Sequence, residues 1–209
     1  PNVINSLIKL KKKNMANYLL SNEEQFLRVC EFLANHAASK GINMPISRMK
    51  PTPTGLYIAS PFTAGGKVSL LQNVTVKQVG VTNFDGQTLE QDRYAVIDGV
   101  TIMYGEAAPT KKVWEVDYSK DLPEVLKNSQ LVVMQQNEVV ISLPIEDVNN
   151  AKKSEDFVRK LNALALLVPN QTIDIYIDTP VGSSITPAAS GNSSFVKVIL
   201  TGSETYLKR

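Results

Sequence analysis

The chain contains one cysteine, one histidine and one tryptophan in 209 residues, and each scarcity excludes a class of chemistry. With Cys30 alone, no internal disulfide can staple the fold, so burial must hold it together. Cys30 and His36 are the only soft metal ligands, too few for a zinc centre. They stand six positions apart in a segment of helical periodicity. At about 100° per residue that spacing puts them on different faces, so no Cys–His nucleophilic pair is expected. Cys30, with Val29 and Phe32 close by, reads as a small core hydrophobe.

Long apolar runs are also missing. The longest, Leu164–Val168, falls far short of the roughly 20 residues that span a bilayer. The opening Pro1-Asn2-Val3-Ile4-Asn5-Ser6 has no basic head followed by a long apolar stretch, and reads as no signal peptide. The N-x-S/T sequences at Asn73, Asn170 and Asn192 are therefore expected to stay unmodified. Charge of one sign is lacking too: 22 basic residues face 20 acidic ones, which argues against a dedicated nucleic-acid-binding domain.

No GxGxxG, GxSxG or HExxH occurs. Thr63–Val68 imitates the end of a phosphate loop, but the first glycine is absent and Val68 replaces the magnesium-binding hydroxyl. Asp174 and Asp178 share one face of a predicted strand, roughly 13 Å apart at about 3.3 Å per residue, wider than either glycosidase geometry. The expectation is a chain with no catalytic residues, no cofactor and no metal.

What is present divides the chain in three. Residues 1–41 read as a helical arm: Val3, Ile4, Leu7, Ile8 and Leu10 recur at helical spacing beside Lys9, Lys11, Lys12 and Lys13, with no acidic residue before Glu23. In its second helix Ser21 and Glu24 form a capping box, Phe26, Leu27, Val29, Cys30, Leu33 and Ala37 make one apolar face, and Gly41 supplies the stop. Residues 42–66, broken by Pro45, Pro51, Pro53, Pro61, Gly55, Gly65 and Gly66, read as an extended linker.

Residues 67–209 read as a β-sandwich. Its strands are predicted at Val68–Val81, Tyr94–Tyr104, Gln130–Gln135, Glu138–Leu143, Thr172–Asp178 and Phe195–Thr201. A hairpin turn is placed at Gln136-Asn137. One inserted helix is predicted to start at Ser154 and to carry Phe157, Leu161 and Leu164 on one face.

Asn128–Val133, Asn137–Pro144, Leu166–Ile175 (with its Leu166-Leu167-Val168-Pro169-Asn170 run) and the closing Val196–Thr205 carry a resemblance. Over Tyr94–Arg209 the chain resembles the jelly-roll capsid proteins of tailless, membrane-containing icosahedral bacteriophages. The resemblance implies a mainly β fold, a single jelly-roll sandwich, and a structural virion protein whose partners are copies of itself and other capsid proteins. It implies no active site. Lys9, Lys11, Lys12 and Lys13 would then rest on the viral membrane or on packaged nucleic acid. The alternative is a carbohydrate- or host-receptor-binding sandwich, with Tyr104, Trp114 and Tyr118 as its aromatic platform.

Overall fold

The computed structural model describes residues 21–43, 49, 51–153 and 157–206. The chain divides into two compact units, Pro1–Thr52 with Thr205–Arg209, and Pro53–Glu204.

Helix α1, Ser21–Ser39, dominates what is described of the first unit. Val29, Cys30, Leu33 and Ala37 fall along one stripe and all are buried, while Phe26, at the start of the same stripe, is 46% exposed. Gly41 ends the helix as expected. Its φ of +66° turns the chain so that Ile42 N–H donates to the Ala37 carbonyl at 2.9 Å and Gly41 N–H to Ala38 at 3.3 Å. This is the Schellman closure, which only a residue at ease in the left-handed region makes cheaply. Lys9, Lys11, Lys12 and Lys13, and the helix expected around them, lie outside the described residues.

The second unit is mainly β. Its strands are β1 (Thr52–Phe62), β2 (Lys67–Ser69), β3 (Arg93–Ala107), β4 (Gln130–Gln135), β5 (Glu138–Pro144), β6 (Arg159–Leu167), β7 (Ile173–Asp178) and β8 (Ser193–Tyr206). They form two antiparallel four-stranded sheets, β1-β8-β3-β6 and β2-β7-β4-β5. Leu56, Ile97 and Val198 from the first sheet and Leu131 and Ile175 from the second share one hydrophobic core. The predicted alternation in β7 holds: Ile173, Ile175 and Ile177 are fully buried, each contributing about 1.5–3 kcal/mol by removal from water. The β4–β5 hairpin turns where expected, with Gln136 at φ 49° and Asn137 at φ 65°, the two left-handed residues of a tight hairpin.

Three predicted boundaries are corrected. Residues 42–66 are not a linker throughout, because Thr52–Phe62 is a full strand at the edge of a sheet. Tyr57 N–H donates to Asn83 Oδ1 and Ala59 N–H to the Val81 carbonyl, both at 2.8 Å, on the side away from β8. Residues of the same parity aim the same way. Pro53 and Pro61 therefore lack their N–H groups on the free edge, where no partner strand needs one.

The strand expected over Val68–Val81 stops at Ser69. The following chain is an ordered connection that buries Leu70, Leu71, Phe84 and Leu89 while leaving Val76 and Val79 exposed. Leu70, Leu71, Phe84 and Leu89 pin this loop to the core.

The helix expected after Ser154 is also absent where it is described. Ser154, Glu155 and Asp156 lie outside the described residues, Phe157 is exposed at φ 53°, and Leu161 and Leu164 belong to β6. Opposite β3, Ala165 pairs with Ile97 but Lys160 already pairs with Gly99. The extra residues between them break the period of two and mimic helical spacing. Short helices α2 (Glu124–Lys127) and α3 (Ile145–Asn150) occur instead, the latter joining β5 towards β6.

The sheet edges are all blunted. A strap at 80–83 covers β1: Asn83 Nδ2 donates to the Gly55 carbonyl and Thr82 Oγ1 to the Tyr57 carbonyl, both at 2.8 Å. Edge strand β2 has only three residues, β5 is bulged beside Val133 and ends at Pro144, and β6 carries the insertion just described. These are the devices that keep sheet edges from pairing with other chains.

Candidate functional site

Of the predicted aromatic platform, only part is accessible. Tyr104 is 1% exposed, and its hydroxyl bonds Ser194 Oγ at 2.9 Å and donates to Glu106 Oε1 at 3.0 Å, so it cannot meet a ligand face-on. Burial pushes its ionisation above the ordinary tyrosine range. Trp114 is 50% exposed. Tyr118 is half-buried, donates its hydroxyl to the Val113 carbonyl at 2.8 Å, and is pushed up to about 12 by burial.

Trp114 sits on a single 3₁₀ turn, Val113–Glu115, that is closed twice. Glu115 N–H donates to the Lys112 carbonyl at 2.9 Å, and Lys112 N–H donates to Glu115 Oε2, also at 2.9 Å. The indole packs over Gly80, where an added Cβ would stand 2.8 Å from Trp114 Cβ. Gly80 N–H in turn donates to Tyr57 Oη at 3.1 Å. The exposed ring is thus preorganised by three segments distant in sequence.

Linked to this turn through Tyr57 and Tyr118 is a group that sequence reading missed. Lys197 Nζ lies 5.4 Å from the Tyr57 ring centroid and 5.9 Å from that of Tyr118, within cation–π range of both. Lys197 has no ion-pair partner among the described residues. Its place on an alternating strand was visible, but the rings that flank it come from β1 and from the loop before Asp121.

Elsewhere the chemistry is spoken for. Cys30 is buried, with burial raising its thiol above the usual range, and His36 is lowered by burial and by Lys40. Asp174 accepts Ser69 Oγ at 2.5 Å and stands 3.5 Å from Lys67 Nζ. In the glycine-rich stretch, Gly65 and Gly66 N–H groups donate to Thr179 Oγ1 at 2.9 and 2.8 Å. A side-chain hydroxyl holds the donors that a phosphate would need.

A cleft of about 230 Å³ lies between the end of β1 and the loop before β8, reached by Phe62, Thr63, Ser184, Ile185 and Asn192, with no ionisable side chain in its lining. Among the described residues no group of three or more His, Cys, Asp or Glu side chains is placed to hold a metal, and no helix is long and apolar enough to cross a membrane. No family model, curated protein or solved structure matches the chain.

Proposed function

We propose that the chain is a non-catalytic structural subunit, a jelly-roll coat protein that assembles with copies of itself into the icosahedral shell of a virion. The order of the strands carries this reading. A jelly roll arises when a long antiparallel hairpin of eight strands is rolled into two sheets as two Greek keys. Its first strand then pairs with its last, its second with its seventh, its third with its sixth and its fourth with its fifth. The neighbours here are β1 with β8, β2 with β7, β3 with β6, and β4 with β5. Contacts of β8 with β3 and of β7 with β4 complete the sheets.

Two further features support a role in packing. The nucleophile, base and carboxylate candidates are buried, separated or already hydrogen-bonded. Residues 1–41, with Lys9, Lys11, Lys12 and Lys13, read from the sequence as a helical arm, which would suit neighbouring subunits, membrane or genome. The carbohydrate-platform reading loses Tyr104 to the interior and is the weaker one.

Light scattering with negative-stain imaging of the purified chain tests the proposal. Closed shells or regular ring-like oligomers are expected. A strictly monomeric species at high concentration overturns it.

A further inference from the structure

The self-assembly reading leaves open which surfaces meet, and two surfaces of the second unit complement each other. The first is the Trp114–Lys197 patch. It presents a rigid, half-exposed indole, the neighbouring Val79 at 89% exposure, and an ammonium held near two tyrosine rings without a carboxylate. Glu115 does not fill that role, because its carboxylate is turned back onto Lys112 N–H.

The second is the tip of the β4–β5 hairpin. Val139 is 59% exposed there, beside an exposed Glu138 that has no ion-pair partner among the described residues. Phe157 is as exposed, but its acidic neighbour Asp156 lies outside the described residues. Val76 stands beside Lys77, which is paired with Glu90, and Val79 and Val181 have no acidic neighbour in sequence. Gln136 and Asn137 fix the tip in a two-residue turn, so it is presented without the entropy cost of ordering a loose loop.

Resting on the self-assembly reading, we infer that the β4–β5 hairpin tip of one copy docks on the Trp114–Lys197 patch of the next, with Glu138 meeting Lys197 and Val139 covering Trp114. Lys197 stands on β8 of one sheet, Trp114 on a turn after β3, and the hairpin belongs to the other sheet, so tip and patch are different surfaces and the inferred contact is head-to-tail. Such a contact builds rings or shells when the rotation between copies closes and open filaments when it does not, where an isologous one would stop at a dimer. Tryptophan is also the side chain most often found at the energetic centre of an interface.

The experiment is a charge exchange on the full chain, read as the midpoint concentration of assembly by light scattering. Lys197→Glu and Glu138→Lys should each raise the midpoint by about tenfold or more, and Trp114→Ala by about thirtyfold. The double variant Lys197→Glu/Glu138→Lys should return to within about threefold of the parent, as a restored charge pair requires. Emission of the sole tryptophan should shift to shorter wavelength on assembly. Circular dichroism of each variant confirms folding independently of assembly. A parent chain that stays monomeric overturns the self-assembly reading itself. A parent that assembles while the single variants assemble equally well, or a double variant that is not rescued, overturns the docking inference alone.

Discussion

Arg93 and Glu204 join the start of β3 to the end of β8 through two contacts on one carboxylate oxygen, Nε at 2.8 Å and Nη2 at 2.7 Å. The guanidinium is 3% exposed, and its Nη1 also donates to the Asn83 carbonyl at 3.2 Å. Asn83 is the residue whose side chain seals β1, so one buried cation ties together the central strands and the edge strap. Removing the cation leaves a carboxylate uncompensated in a largely dry site. Arg93→Ala should therefore cost about 3–5 kcal/mol, measured by urea denaturation. Equal stability of the variant and the parent would show the pair to be idle.

Glycines test two different mechanisms. At Gly202 an added Cβ would stand 1.9 Å from the Val96 carbonyl oxygen, so the last strand approaches β3 more closely than any side chain permits. Gly202 lies inside β8. Gly202→Ala should destabilise by about 3 kcal/mol or more. Gly41 has open space around its Cβ position and only the positive φ to satisfy, so Gly41→Ala should cost about 1 kcal/mol. Thermal unfolding of the two variants should rank them in that order.

Thr179 acts through its hydroxyl. Besides accepting the Gly65 and Gly66 N–H groups it donates to the Gly66 carbonyl at 2.9 Å, and it is 3% exposed. Thr179→Val keeps the shape and strands two donors, which should cost about 1–3 kcal/mol. Thr179→Ser should recover most of that loss in the same denaturation assay.

High pH probes Tyr118. Its folded ionisation, pushed up to about 12 by burial, lies above that of an unfolded tyrosine near 10. The unfolded chain then releases this proton first, so the stability contributed is intact below about pH 10 and falls as pH rises towards 12. Absorbance titration should show a late tyrosine step that Tyr118→Phe removes. A Tyr118 that titrates near pH 10 in the folded protein would contradict the burial described.

Cys30 offers a readout of α1. Its thiol is fully buried and raised by burial, so alkylation at neutral pH should be slow and should accelerate only on addition of denaturant. Rapid modification of the folded chain would show that the helix opens on its own.

Elements with an uninterrupted period were legible from the sequence. The alternation of Ile173, Ile175 and Ile177, the Gln136-Asn137 turn and the Gly41 stop each follow from one local rule, and each is found. Elements shaped by distant partners were not. β1 is punctuated by Pro53, Gly55 and Pro61 because its outer edge meets Thr82 and Asn83 rather than another strand, a fact no local window contains. β6 lost its alternation to a register shift imposed by β3. The Lys197 patch was illegible for the same reason, since Tyr57, Tyr118 and Gly80 converge on it only after folding. Trp114 was singled out from its rarity, but nothing local distinguished it from Tyr104, whose ring the core takes.

The strap over β1 has a consequence for how copies of the chain could meet edge to edge. An uncovered eleven-residue strand would template growth in one dimension, and newly made chains would drain into fibres. With Thr82, Asn83 and Val81 occupying the Gly55–Ala59 stretch of that border, a second chain cannot add a strand there without first displacing the strap.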